Sequence, residues 1–374
     1  MSMASFAYYR LPYADRYTVM VQTEGEPERL ASCTGLNGRN GFVLAPFSVS
    51  SGCPVLLIHP DRVEERAVPE EEHIRTGHCT ASRQAGGSAS GVSGMDSDKA
   101  VYSKDFESCR SMLVSGEFSK IVLARSAGVE TVDEMDAEGL FLRACRMYPR
   151  MFVVLVSTPQ SGMWLAATPE ILLESSCGTG RTVALAGTMK LDESQLGFDN
   201  PPSASVDDAA SGIFWSTKNI KEQRYVATYI SDVLKRFAGA CREEGPRTVR
   251  AGNIVHLRSD FTFELADTSR IGSLLDILHP TPAVCGLPKT ETYRHIVDHE
   301  HTDRRYYSGF MGPLCHDGAT HLYVSLRCMQ IVDGRHYRLY AGGGLLKDSV
   351  EEQEWCETEA KMETMLRLFD GSCL

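Results

Sequence analysis

Residues 336–369, HYRLYAGGGLLKDSVEEQEWCETEAKMETMLRLF, hold a strand, a glycine run and a helix in one passage. The strand spans 336–342. The helix spans 349–369, with Trp355, Met362, Met365, Leu366 and Phe369 as its apolar stripe. Ser349-x-x-Glu352 at its start is a capping-box pattern. Between strand and helix, AGGG at 341–344 is backbone that can approach an anion closely and offer N–H donors. The run is not G-x-G-x-x-G, no βαβ unit surrounds it, and no G-x-x-x-x-G-K-[ST] occurs, so nucleotide folds are disfavoured.

Working outward, SKIVLAR at 119–125 alternates like a strand, with Lys120, Val122 and Ala124 on one face. Further strands are predicted at 152–157, 163–167, 170–174, 182–186, 253–257, 321–332 and 336–342. A second helix at 219–237 buries Val226, Tyr229, Ile230, Val233, Leu234 and Phe237. Strands and helices do not alternate regularly, which predicts a mixed α+β fold rather than a doubly wound parallel sheet. Residues 1–75 carry short strand-like runs at 43–47 and 54–58. Gly- and Ser-rich residues 76–98 read as a flexible loop, and 191–215 as an exposed insertion. The expected organisation is a variable part at 1–100 and a catalytic part at 101–374 of one large fold.

The chain has 374 residues, 43% of them hydrophobic and 23% charged, as in a folded protein. Its net charge of −11 disfavours nucleic acid or an anionic membrane as main partner, but leaves room for a local basic pocket. No run reaches the ~18–20 apolar residues of a bilayer span. The amino terminus lacks the pattern of a secretory signal. Twelve cysteines, none in C-x-x-C, read as reduced apolar residues and a cytoplasmic setting. Neither the cluster of His295, His299 and His301 nor any H-E-x-x-H makes a convincing zinc signal.

Several polar residues stand in apolar surroundings. Lys120 reads either as an edge-strand lysine or as a partly buried base. Glu170, between Pro169 and Ile171, reads as a turn carboxylate or as an acid kept neutral by apolar neighbours. Glu222 shares the inward stripe of its helix, where the helix dipole or a metal ion would each account for it. Glu357 and Lys361 form an i,i+4 pair, and Glu354 lies one turn earlier. Arg327 interrupts VSLRCMQI, where an arginine usually meets a carboxylate of the protein or of a ligand. His256, within NIVHLRS, reads as a core histidine.

Together these residues stand in blocks that resemble the chorismate-utilising enzymes, and the isochorismate synthases most closely. The blocks are FSKIVLAR at 118–125, ATPEILLE at 167–174, LAGT at 185–188, KEQRYV at 221–226 and HLRS at 256–259. They continue with LHPTPAVCGLPK at 278–289, YYSGFMGPL at 306–314, LYVSLRC at 322–328 and the glycine run with its helix at 340–366. The resemblance implies one large α+β domain with two stacked β-sheets surrounded by helices. It implies Lys120 as general base and Glu170 as general acid, with His256 beside the acid. Mg²⁺ falls to Glu222 and Glu357, with Glu354 through water. One substrate carboxylate would meet the metal. The other would be held by Arg327, Lys361, Tyr307 and the backbone at Gly342, Gly343 and Gly344. Gly187 and Thr188 would line the ring, with Ala283 and Val284 in the wall. The implied partner is chorismate, bound by a monomer or weak homodimer, and the product would feed menaquinone, siderophore or salicylate synthesis. Ala186 stands where aminodeoxychorismate synthases carry a nucleophilic lysine, and HPTPA at 279–283 favours isochorismate synthase over salicylate synthase. A silent chorismate binder would need none of the four groups Lys120, Glu170, Glu222 and Glu357. AGGG stands for the family's commoner A-G-A-G, and KEQ for H-E-H.

Overall fold

The computed structural model describes residues 4–69, 81–84, 94–190, 213–238, 240–251, 254–265 and 267–370. Two antiparallel sheets form its frame. The first runs in the order Gly286–Leu287, Lys120–Thr131, His336–Leu345, Cys328–Ile331, Gly162–Thr168, Phe152–Thr158, Ser5–Arg10, Arg16–Gln22 and Arg62–Ala67. The second runs Cys241–Ala251, Ile254–Glu264, Thr179–Lys190, Ile171–Ser176, Ala319–Val324, Phe310–Leu314, Gly41–Ala45, Val55–Ile58 and Glu28–Leu30. Their facing sides share one apolar core that includes Ala7, Phe42, Trp164, Tyr306 and Tyr323. Phe152 of the first sheet stacks on Tyr323 of the second, centroids 4.4 Å apart, and fixes the spacing locally.

Helices cover the outer faces. We number them α1 (Gly94–Ser115), α2 (Ala137–Met147), α3 (Thr217–Phe237), α4 (Ile271–Leu278), α5 (Lys289–His299) and α6 (Glu351–Leu366). Helices α3 and α4 bury Val226, Ile230, Leu234, Leu274 and Leu278 in one core with the second sheet. Helices α2 and α6 bury Phe141, Met362 and Met365 against the first. No helix among the described residues is long and apolar enough to cross a membrane. The cysteines described are free thiols.

The α+β fold with two stacked sheets agrees with the expectation from sequence. Three local expectations need correction. The strand expected at 321–332 is two strands, Ala319–Val324 in the second sheet and Cys328–Ile331 in the first. The chain changes sheet between them, and Arg327 takes a left-handed φ of 46° to do so. The capping box of α6 does not form. Val350 is the N-cap, while the Ser349 hydroxyl accepts a hydrogen bond from the Leu346 amide and Glu352 pairs with Lys99. Within the stretch read as a loop, Ala81–Gln84 pair with the Lys120–Thr131 strand and α1 begins at Gly94. Strand pairing there is made by backbone groups, which small residues do not forbid. The rest of that stretch, and most of the insertion expected at 191–215, lie outside the described residues.

Candidate active site

Two chain crossings build the site. Gly162–Thr168 belongs to the first sheet and Ile171–Ser176 to the second, so the intervening Pro169-Glu170 is a crossover. Proline cannot donate to a ladder, which suits it to this break. Arg327 sits at the neighbouring crossover. The two are laced together: the Ala167 amide donates to the Arg327 carbonyl (3.0 Å), the Val324 amide to the Glu170 carbonyl (2.9 Å), and the Thr168 hydroxyl to the Val324 carbonyl (2.8 Å). Glu170 and Arg327 thus face one recess from rigid backbone. Its empty space is about 620 Å³, including the mouth.

Glu170, Gly187, Thr188, Glu222, His256, Ala283, Val284, Tyr307, Arg327, Gly342, Gly344 and Lys361 all line this recess. Lys120, Gly343, Glu354 and Glu357 do not line it directly, but adjoin it. Lys120 is fully buried on the face that also carries Val122, a lining residue. Its strand is flanked by Gly286–Leu287 and His336–Leu345, which removes the edge-lysine reading. Lys120 Nζ lies 3.1 Å from Glu222 Oε1.

Electrostatics separate the groups into roles. Burial pushes the Glu170 carboxyl up to about 8, against the opposing pull of Lys120, Lys361 and Arg327. It is therefore mostly a neutral acid near pH 7. Burial lowers the Arg327 guanidinium to about 10, still fully charged at neutral pH. No carboxylate comes within ion-pair distance of Arg327 among the described residues. Its Nη2 donates to His256 Nε2 (2.8 Å) and its Nη1 to the Thr364 hydroxyl (3.4 Å). Because guanidinium only donates, His256 Nε2 must accept, which puts the ring proton on Nδ1, facing the Gly187 carbonyl at 3.0 Å. Burial, together with Arg327 and Lys361, holds His256 well below the usual histidine range, hence neutral. The geometry makes His256 the positioner of Arg327. The carbonyl it uses belongs to a bulge, where Gly187 has φ of 71° and a Cβ would stand 3.0 Å from the Asn219 carbonyl.

Three carboxylates gather against the glycine strand. A Cβ on Gly344 would fall 2.0 Å from Glu222 Oε1, and one on Gly343 would lie 3.3 Å from Glu354 Oε2 and 3.8 Å from Glu357 Oε1. Each carboxylate meets a lysine: Glu222 meets Lys120, Glu354 meets Lys218, and Glu357 meets Lys361 at 2.7 Å. Lys361 also donates to the Gly342 carbonyl at 2.8 Å. Burial raises the Glu354 carboxyl, and its Oε2 is buried with no hydrogen-bond partner. Burial would raise Glu357 too, but Lys361, Lys218 and the Thr188 hydroxyl hold it below the ordinary range. Among the described residues, no three acidic, imidazole or thiolate groups converge at ligand spacing. The donor set still suits a hard divalent cation: oxygen ligands from two helices, one of them an orphaned buried oxygen, beside backbone that only glycine keeps clear.

Comparison with known proteins agrees with this geometry. Residues 57–370 match the family model described as "Chorismate binding enzyme". The chain belongs to this family. It is 30% identical over 299 residues to the salicylate biosynthesis isochorismate synthase of Pseudomonas aeruginosa, covering 77% of this chain and 60% of that protein. It is 30% identical over 279 residues to the isochorismate synthase DhbC of Bacillus subtilis, covering 71% and 67%. The chain thus spans about 60–67% of the length of these relatives. In fold it is similar to a putative 2,3-dihydroxybenzoate-specific isochorismate synthase, DhbC from Bacillus anthracis (TM-score 0.76, 22% identity, 97% of this chain and 95% of that one). It is also similar to the menaquinone-specific isochorismate synthase MenF of Escherichia coli (TM-score 0.77, 21% identity, 98% and 88%).

For this chorismate binding enzyme, sequence reasoning missed Lys218 and the lining residues Val122, Pro169, Leu185, Leu326, Tyr340 and Ala341. Lys218 had a legible signal, since it precedes Glu222 by four on one helix. Leu326 and Tyr340 adjoin Arg327 and Ala341, but their apolar side chains carry no sign that distinguishes a cavity wall from a core. His295 and His299 stack on α5 with centroids 4.5 Å apart, and His301 pairs with Asp105 at 2.5 Å, away from the recess.

Proposed function

We propose that the chain is an isochorismate synthase: it converts chorismate to isochorismate, with Mg²⁺, by adding water at C2 and releasing the C4 hydroxyl as water. The observation that carries the reading is Glu170, a buried carboxyl shifted to about 8, in one recess with a guanidinium that has no carboxylate partner among the described residues. A dianionic substrate answers that unmatched charge, and a neutral acid answers the need of a hydroxyl to leave.

In this mechanism one substrate carboxylate lies against Arg327 and Lys361, whose charged hydrogen bonds orient the ring. Tyr307 and the backbone of the 342–344 strand complete that end, and Ala283 and Val284 exclude water from the apolar side. Lys120, in its neutral amine form, takes the proton of the attacking water, and Glu170 gives its proton to the departing C4 hydroxyl. One water enters and one leaves, so the step is an isomerisation. Glu222 and Glu357, with Glu354 through water, would hold the magnesium ion, which when bound neutralises the second carboxylate and withdraws electron density from the ring. His256 keeps Arg327 in place. The proposal includes a cytoplasmic enzyme acting as a monomer or weak homodimer, whose product serves menaquinone, siderophore or salicylate synthesis.

The test is to incubate the protein with chorismate and Mg²⁺ and separate the products. Isochorismate supports the proposal. Salicylate with pyruvate would make the chain a salicylate synthase instead, and binding without turnover would make it a silent binder.

A further inference from the structure

A second and larger recess, with about 1320 Å³ of empty space, lies across the wall from the first and shares Pro169 and Leu185 with it. Among the described residues that line it are five arginines, Arg150, Arg181, Arg247, Arg250 and Arg258, and the carboxylate Glu174. In a chain of net charge −11 such a concentration of guanidinium groups is not a matter of composition. The sheet puts them there. Arg247 and Arg258 are direct partners across antiparallel strands, an arrangement that is destabilising for like charges unless something offsets it.

Among the described residues, Asp260 is the group that offsets it. Arg181, Arg247 and Arg258 all converge on Asp260, at 2.7, 2.5 and 2.7 Å. Although Asp260 is buried, these neighbours hold its carboxyl down at about 2. Among the described residues, three guanidinium groups meet two carboxylates, Asp260 and Glu174, which leaves one positive charge in excess. Arg181 gives part of its charge to Glu174 at 3.3 Å, but Glu174 is also engaged by the Tyr323 hydroxyl at 2.6 Å. Arg181 and Arg247 remain 42% and 30% exposed, so their guanidinium edges are within reach of a ligand. Planar guanidinium groups match carboxylate and phosphate oxygens in pairs.

We propose that this recess is a second binding site, for a small polyanion carrying phosphate or carboxylate groups, separate from the chorismate recess. The ligand sits between the Arg181–Arg247–Arg258 cluster and the loop at Leu11, Pro12 and Tyr13. Its occupancy bears on the wall that carries Glu170, because Pro169 and Ile171 both line it.

Calorimetric titration of the full chain with pyrophosphate, and separately with citrate, tests the site and tells phosphate from carboxylate ligands. Binding of either probe at low salt, weakened by salt, is the expected result. Arg181→Gln should weaken it by about tenfold or more, and the Arg181→Gln/Arg247→Gln pair further. If the pair fails to fold, Arg181→Gln alone decides, because Arg181 is the more exposed of the two side chains, 42% against 30%. Arg327→Ala, which removes the anion anchor of the other recess, should leave probe binding intact. Absence of binding by both probes, or binding lost in Arg327→Ala and kept in Arg181→Gln, overturns the proposal. Neither readout depends on turnover, so it stands or falls apart from the isochorismate synthase reading.

Discussion

If Glu170 supplies the proton, the pH dependence of kcat/KM must carry its signature. With a carboxyl at about 8, roughly nine-tenths of the free enzyme is in the acid form at pH 7 and roughly one-tenth at pH 9. An ordinary glutamate, at 4.5, would be protonated in well under about 1% of molecules at pH 7. The alkaline limb of the profile therefore falls by about tenfold per unit above 8.5. The causes of the shift give a second handle. Burial raises the group, while Lys120, Lys361 and Arg327 lower it, so Lys361→Met should move the limb to higher pH. Glu170→Gln keeps size and burial but donates no comparable proton. Its turnover should drop ~10²–10⁴-fold, about 3–5 kcal/mol in barrier, and the alkaline limb should vanish. Stability follows the same sign. The raised carboxyl contributes fully below its unfolded value of 4.5, and that contribution is lost as pH rises through about 8. Steady-state rates of isochorismate formation between pH 6 and 10 decide the matter. A limb that persists unchanged in Glu170→Gln, or a rate within tenfold of the parent, refutes the assignment.

Other expected outcomes follow from the same geometry. Lys120→Ala removes the base and strands Glu222 beside a buried hole. Turnover should fall ~10²–10⁴-fold and stability by about 3–5 kcal/mol, measured by denaturant unfolding. Arg327→Ala should raise KM for chorismate by about 10–150-fold, the worth of one or two charged hydrogen bonds, with a smaller effect on kcat. Gly344→Ala drives a methyl group to within 2.0 Å of Glu222 Oε1, so it should weaken Mg²⁺ binding by titration, and an unchanged affinity would deny Glu222 a place at the metal. Gly187→Ala should cost about 1–3 kcal/mol in stability, because the alanine must hold φ of 71° against the Asn219 carbonyl.

Much of this site could be read without coordinates because its residues break local pattern. A lysine in an apolar strand, a glutamate after proline at the head of an apolar run, and an arginine amid strand residues each violate the expectation for their segment, and functional sites are where such violations collect. The strand, glycine run and helix at 336–369 were legible because periodicity of 2 and of 3.6 are local properties of the chain. What could not be read locally was the change of sheet. Residues 321–332 have unbroken strand character, and only pairing with two different sheets divides them at Arg327. The capping box at Ser349 was a valid local signal overridden by tertiary contact, since Lys99 of α1 takes Glu352.

The sequence by itself determined which residues carry charge where charge is costly, and therefore which residues chemistry would use. It could not determine who meets whom. The pairing of Lys120 with Glu222, of Lys218 with Glu354 and of Arg327 with His256 joins positions 102, 136 and 71 residues apart. The convergence of three arginines on Asp260 depends likewise on the register of three strands. Those distances are set by how two sheets stack and where the chain crosses between them. That is a global minimum of packing and hydrogen bonding, and no short window of sequence contains it.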